Sequence, residues 1–329
     1  MLNSSLRAQT LCILGGTGFV GTRLVTRLTA DGHRLKVLTR NRETHRHLLV
    51  LPDLRLVNAD VHDPGQLASQ FMGVDVVVNL IGILNERGRS GAGFHHAHAE
   101  LAHKVVGACR SAGVKRLLHM SSLRANAGNA PSHYLRSKGT AEEIVRRECG
   151  KALPYVIFRP SVIFGPADSF INRFARLMRH MPFAFPLARA QARFAPVYVG
   201  DVVEAIARCV TDTSNDRRTL ELCGPEVFTL REIVDFTAQV LGRRRVVVPL
   251  PDFVGRLQGL LMDFIPGKPF SSDNFNSLTI DSVCEHNGFA ELGIEPHSMR
   301  GIVRQYLGKT SAAGRRDVHR HRASRATHG

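Results

Sequence analysis

Tyr134 and Lys138 stand four residues apart within "SSLRANAGNAPSHYLRSK", residues 121–138. On a helix this spacing puts both side chains on one face. A phenol can pass a proton to or from a carbonyl or an alcohol, and an ammonium beside it lowers the phenol pKa by favouring its anion. Such chemistry wants a third group, a Ser or Thr hydroxyl that orients the reacting oxygen. Ser121 and Ser122 lie upstream. The candidate catalytic residues are therefore Tyr134, Lys138 and Ser122. A second reading stays open, in which Tyr134 and Lys138 only clamp a bound ligand.

The elements that must position these residues are legible as an alternation. "TLCILGG" reads as a strand and "FVGTRLVTRLTADG" as a helix ending at Asp-Gly. "RLKVLTR", "LRLVNADV" and "VDVVVNLIG" read as further strands, the last apolar on both faces as central parallel strands are. "FHHAHAELAHKVVGACRSAG" is a helix, "VKRLLHMSS" and "LPYVIFRPS" are strands, and a helix over about 132–149 joins them. Strands alternating with helices predict an α/β fold with a doubly wound parallel sheet. The alternation breaks after Gly165. We expect a dinucleotide-binding domain over 8–165 and a smaller C-terminal α/β lobe over 166–308, interleaved with the end of the main sheet. A disordered basic tail is expected over 309–329, six of whose residues are Lys or Arg.

The first strand–helix turn, "ILGGTGFVG", places Gly15, Gly18 and Gly21 at three-residue intervals. Glycines there permit a tight turn and close approach of a pyrophosphate, which the helix N-terminus then meets with free N–H groups. Thr17, Phe19 and Val20 complete the turn. The end of the second strand reads "LTRNR". Arg40 stands where an acid would select NAD, and its guanidinium suits a 2′-phosphate, so NADP(H) is preferred over NAD(H). Arg42 is a candidate helper. Asp60, with Val61, follows the third strand, placed for the adenine amino group. Leu80, Ile81 and Gly82 end the fourth, under the ribose and pyrophosphate. Ser121, Tyr134, Lys138 and Pro160 complete the expected cofactor contacts, with "RPS" (159–161) lining the nicotinamide end.

The glycine turn, "NLIG", Tyr134-x-x-x-Lys138, "FRPSVIFGPADSF" and "PVYVGDV" together resemble the extended and atypical short-chain dehydrogenase/reductase superfamily. More narrowly, "HMSSLRANA", "YLRSK" and "RPSVIFGPADSFINRFA" resemble the NADP(H)-binding accessory subunit of respiratory complex I and its bacterial relatives, over about residues 10–305. The resemblance implies a Rossmann domain with a smaller C-terminal lobe. It also implies a dinucleotide held without turnover and partnership with a respiratory-chain or quinone-biosynthesis complex. The alternative it implies is a working NAD(P)-dependent oxidoreductase or epimerase. In working members the hydroxyl lies two residues past the first serine. That slot holds Leu123, with Ser121 and Ser122 one or two places early, and orientation accounts for much of a rate. Leu123 therefore weighs toward cofactor holding.

Composition limits the rest. With 44 basic and 28 acidic residues the formal charge is +16, which favours anionic cofactors, partners or an anionic membrane surface. No Trp and 6% aromatics leave few stacking platforms, so no nucleic acid is expected. The six cysteines form no Cys-x-x-Cys pair, and buried free thiols in a reducing compartment are expected. "MLNSSLRAQT" lacks a signal-peptide core, and no run approaches the length of a membrane span. The protein is thus expected to be cytoplasmic or peripheral on the cytoplasmic face of an inner membrane. His96, Glu100 and His103 share a helix face but find no further ligand motif, so no metal is expected. The apolar segment 251–270 reads as a core helix of the small lobe, or else as a surface for a membrane or large partner.

Overall fold

The computed structural model describes residues 8–180, 184–243 and 246–308. The tail expected over 309–329 lies outside them. The chain divides into two units. One holds the described residues up to Pro160, with Gly200–Leu222 and Glu285–Ile294; the other holds Ser161–Val199, Cys223–Cys284 and the described residues from Glu295 onward.

The first unit is built on seven strands. They are β1 (Thr10–Leu14), β2 (Arg34–Thr39), β3 (Leu54–Asn58), β4 (Val76–Asn79), β5 (Arg116–Met120), β6 (Tyr155–Pro160) and the edge strand Arg218–Leu222. Their order is Arg218–Leu222, β6, β5, β4, β1, β2, β3, and every pairing is parallel. The order reverses between β1 and β4, the switch point outside which open α/β sheets bind ligands. Residues 76–79 are buried throughout because helices cover both faces. Those helices include α1 (Phe19–Ala30), α2 (Pro64–Phe71), α3 (Ala92–His95), α4 (Leu101–Ser111) and α5 (His133–Cys149). Cys12, Val77, Leu117 and Ile157 of the strands pack on Leu67 and Phe71 of α2, Val105 and Cys109 of α4, and Val145 of α5.

One departure from the expected pattern matters for the site. The helix read as continuous from Phe94 carries a π-helical turn, His96–Glu100, between α3 and α4. Its wider turn rotates the residues of α4 about the helix axis. Glu100 pairs with His95 and His96, while His103 turns to Glu148 of α5 instead of sharing a ligand face with Glu100.

Among its described residues the second unit has three short strand pairs: Ile163–Phe164 with Val197–Tyr198, Arg193–Phe194 with Phe228–Thr229, and Ala184–Ala188 with Val246–Leu250. Phe164, Ile171, Met178, Phe194, Ile233 and Val303 are among its core residues. The helix Asp252–Met262 contradicts its reading as a core helix. It packs through Gly255 and Gly259, where a Cβ would come within 2.9 Å of Ala188 and Phe275 and within 3.1 Å of Ser272. Its large apolar residues face outward, with Phe253 74% and Leu261 62% exposed, followed by Phe264 at 75%.

A second correction concerns the cysteines. Cys223 and Cys284 are joined by a disulfide, 61 residues apart in sequence. Spacing along the chain could not show this pairing. In chain-entropy terms, closing so long a loop stabilises by about 4 kcal/mol. Cys12, Cys109, Cys149 and Cys209 are free and buried.

Candidate functional site

The glycine turn is shaped by backbone approach. Gly15 adopts φ 77°, and the Gly18 N–H donates to the Gly15 carbonyl at 3.0 Å. A Cβ on Gly15 would stand 3.1 Å from the Leu80 carbonyl carbon, so the turn lies against the Leu80–Ile81 backbone. A Cβ on Gly21 would overlap the Gly15 carbonyl oxygen and come within 2.6 Å of Gly16 Cα. Gly18 caps α1 with no acid in its first turn, leaving the N-terminal N–H groups for an outside anion. Gly21→Ala should therefore cost about 3 kcal/mol and abolish dinucleotide binding. Thermal melts and NADPH fluorescence titration check this; a variant that binds normally would show that the turn tolerates the methyl.

At the next two strand ends, Arg40 and Arg42 are exposed, and the Arg42 backbone N–H donates to Asn58 Oδ1 at 2.7 Å. Asp60 is exposed and shapes its own turn, accepting from the His62 N–H at 2.9 Å. The Val61 side chain belongs to the core, so it offers only backbone to a ligand.

The central cluster forms where β4, β5 and α5 meet. Ser132 caps α5, accepting from the Leu135 N–H at 3.2 Å, and Tyr134 lies in the first turn. The rings of Phe94 and His98 meet the Tyr134 ring edge-on, at 5.9 and 5.6 Å. One turn later Lys138 is only 4% exposed, and its Nζ donates to the Met120 carbonyl at 3.0 Å. A Cβ on Gly82 would stand 3.0 Å from that Nζ, so Lys138 lies beneath the end of β4. Burial lowers the Lys138 pKa to about 8, against the opposing pull of Glu142.

The loop after β5 is pinned to β6. The Ser121 N–H donates to Phe158 and the Leu123 N–H to Pro160, at 2.8 and 2.9 Å. Leu123 is 2% exposed, so an apolar side chain fills the slot expected for a hydroxyl. Ser122 Oγ contacts its neighbour's carbonyl, that of Leu123, at 3.4 Å. Ser121 Oγ is buried without a protein partner, as is Nε2 of His119 on β5. Orphaned polar atoms, a cradle at Gly82 and a buried ammonium together fit a polar, hydroxyl-bearing ligand such as a ribose.

Several residues of this cluster gave no signal in the sequence. His98 lies in the π-helical turn; its Nε2 accepts from the Ile83 N–H at 3.1 Å, so its Nδ1 carries the proton toward Ser137 Oγ at 2.7 Å. It thereby ties the loop after β4 to α5. Burial, then Lys138 and His119, lower its pKa to about 2. His119 is pushed to about 3 by burial, Lys138 and Arg146. Glu142 is fully buried and receives Arg159 through two bonds of 2.8 and 2.6 Å. Arg159 also donates to the Ala125 carbonyl, in the loop after β5, at 3.2 Å. Gly139 lets α5 touch this loop backbone to backbone, since a Cβ there would overlap Asn126 and Ala127.

Lys138 is a strained charge. Its pKa is depressed from 10.5, so the penalty is fully present below about pH 8 and is relieved as pH rises toward 10.5. Lys138→Met should raise the stability of the nucleotide-free protein at pH 7 by about 2–3 kcal/mol while weakening dinucleotide binding. Melts at pH 7 and pH 10 check the sign; a destabilised variant at pH 7 would mean that the bond to Met120 outweighs the burial penalty.

Among known proteins, the pattern of the NAD dependent epimerase/dehydratase family matches residues 11–223. The mitochondrial NADH dehydrogenase [ubiquinone] 1 alpha subcomplex subunit 9 of Arabidopsis thaliana is 29% identical over 92% of this chain and 78% of its own. The ceramide reductase of Caulobacter vibrioides is 30% identical over 77% of each chain. In fold, the dTDP-glucose 4,6-dehydratase of Streptomyces venezuelae is similar, with a TM-score of 0.72 at 21% identity over 91% of this chain and 95% of that one.

Proposed function

The chain is a nicotinamide dinucleotide-binding member of the NAD dependent epimerase/dehydratase family, and from that premise we propose that it holds NADP(H) as a resident group supporting a membrane-associated respiratory or ubiquinone-related complex. The observation that carries this reading is Leu123. Buried and apolar, it occupies the slot where a working site would place its orienting hydroxyl. The α1 N-terminus and the Gly15–Gly21 turn take the pyrophosphate. Arg40 takes the 2′-phosphate and Asp60 and Val61 flank the adenine. Leu80 to Gly82 pass under the ribose and pyrophosphate, and Ser121, Tyr134, Lys138 and Pro160 surround the nicotinamide end. The bound group supplies hydride chemistry; this chain's own residues hold it and keep it oriented.

The outward Phe253, Leu257, Leu261 and Phe264 support a peripheral role at a membrane or partner surface. So does the +16 charge, which favours an anionic, cytoplasmic-face membrane. No described helix is long and apolar enough to cross a membrane.

A second reading has its own support. Tyr134 and Lys138 stand on one face of α5, and the reductase from Caulobacter is among the relatives. In that reading Tyr134 passes the proton, Lys138 favours its anion, and Ser122 shifts to meet the substrate oxygen. One experiment separates the two. The nucleotide that co-purifies is identified by mass spectrometry, and its absorbance is followed for days with quinones and with long-chain ketones. NADPH that neither exchanges nor oxidises is the expected result. Prompt oxidation by one substrate class would make the site a live reductase.

A further inference from the structure

Cys223 and Cys284 occupy the two ends of an excursion. Cys223 follows the edge strand Arg218–Leu222, and Cys284 precedes the segment Glu285–Ile294; between them the chain belongs to the second unit, and just outside them to the first. The disulfide closes the excursion where it starts and finishes. Beyond Cys284 the chain is held by Glu221. Its carboxylate accepts from the Glu285 N–H and its carbonyl from the Gly288 N–H, each at 2.8 Å. The Glu285 carboxylate in turn grips Arg124. Arg124 has φ 63° and directly follows Leu123, in the loop that carries Ser121 and Ser122 past Lys138. The disulfide is thus one residue from an ion pair that fastens the candidate nucleotide loop.

Two features make this bond exchangeable. Cys284 is partly exposed while Cys223 is buried, so of the two Cys284 is the more open to an outside thiolate. The Cys284 N–H donates to Cys223 Sγ at 3.1 Å, which stabilises the thiolate that must leave. The four remaining cysteines do not compete, since burial raises their thiols.

We propose that Cys223–Cys284 is a thiol switch that sets how firmly the loop after β5 is held, and with it the residence of the nucleotide. A dithiol supplies the two electrons. Its thiolate bonds to Cys284 Sγ as the S–S bond breaks, and Cys223 leaves as a thiolate and takes up a proton. The second thiol, deprotonated, attacks the mixed disulfide and expels Cys284, which is protonated in turn. The dithiol ends as a disulfide and the protein as two thiols. Glu285 then loses the covalent tie beside it and keeps the hydrogen bonds to Glu221, so its grip on Arg124 loosens. The effect on residence rests on the nucleotide-holding reading; the switch itself does not.

The test uses the full chain purified without reductant. A peptide joining Cys223 to Cys284 is expected in non-reducing mass spectra. Dithiothreitol, and separately Cys284→Ser, should each speed NADPH release by about tenfold. Reoxidation should restore slow release in the wild type, and Arg124→Ala should release quickly in either redox state. Amide exchange at 285–294 and 121–126 should rise on reduction. Absence of the joined peptide, or unchanged exchange in both segments, would overturn the switch. Exchange that responds to dithiothreitol in a protein that binds no nucleotide would uphold the switch and overturn the nucleotide reading.

Discussion

Lowering the pH from 6.5 to 4.5 should remove about 5 kcal/mol from the stability of the first unit, enough to unfold many domains outright. His98 and His119 are the cause. Their pKa values in the folded protein are about 2 and about 3, against an ordinary 6.5. Each is depressed, so the stability they represent is fully present above pH 6.5 and is lost as pH falls toward those values. Per histidine the loss is about 1.4 kcal/mol for each pH unit, and two histidines over two units give the total. The geometry explains why neither escapes by protonating in place. His98 Nε2 already accepts a backbone N–H, and His119 sits in β5 beside a buried ammonium. His119→Phe is the probe: it removes the titrating ring, its Nε2 has no protein partner to lose, and the change gives up only the 3.4 Å contact of Nδ1 with the Asn79 amide nitrogen. Melts from pH 7.5 to 4.5 should show a slope shallower by about one proton in this variant. An unchanged slope would assign the acid transition to carboxylates instead.

The range of each interaction decides whether it was legible along the chain. The glycine turn, the strand–helix alternation and the shared face of Tyr134 and Lys138 are local periodicities, and the parallel sheet rests on them. The burial of Leu123 was half legible: the residue type was visible, its packing was not. Interactions between distant residues left no local trace. Glu142 reads as one acid in "AEEIVRREC" until Arg159 folds onto it. Cys223 and Cys284 lie in unremarkable surroundings. His98 was hidden by the π-helical turn, which breaks the 3.6-residue count that would assign its face. The helix Asp252–Met262 inverted its reading because small residues, and not large ones, made its contact.

Glu142→Ala should cost about 3 kcal/mol. The carboxylate is fully buried and takes both oxygens into a fork with Arg159, while Arg146 adds a bond of 2.7 Å. Removing it leaves the Arg159 guanidinium partly buried without its counter-charge. The estimate is at the low end for a broken buried pair because the Arg159 side chain keeps 24% exposure. Stability is only half of the expected result. Arg159 also holds the Ala125 carbonyl, so the loop after β5 should loosen. Glu142 further supports the charge on Lys138, whose pKa should fall below its present value of about 8. The milder Glu142→Gln isolates this effect: it retains the shape and an acceptor for Arg159 but removes the charge. Its nucleotide affinity should decline with rising pH earlier than in the wild type, as Lys138 loses its proton nearer pH 7. If Glu142→Gln weakens binding equally at all pH values, the carboxylate acts only through the loop, and the electrostatic link from Glu142 to Lys138 is refuted.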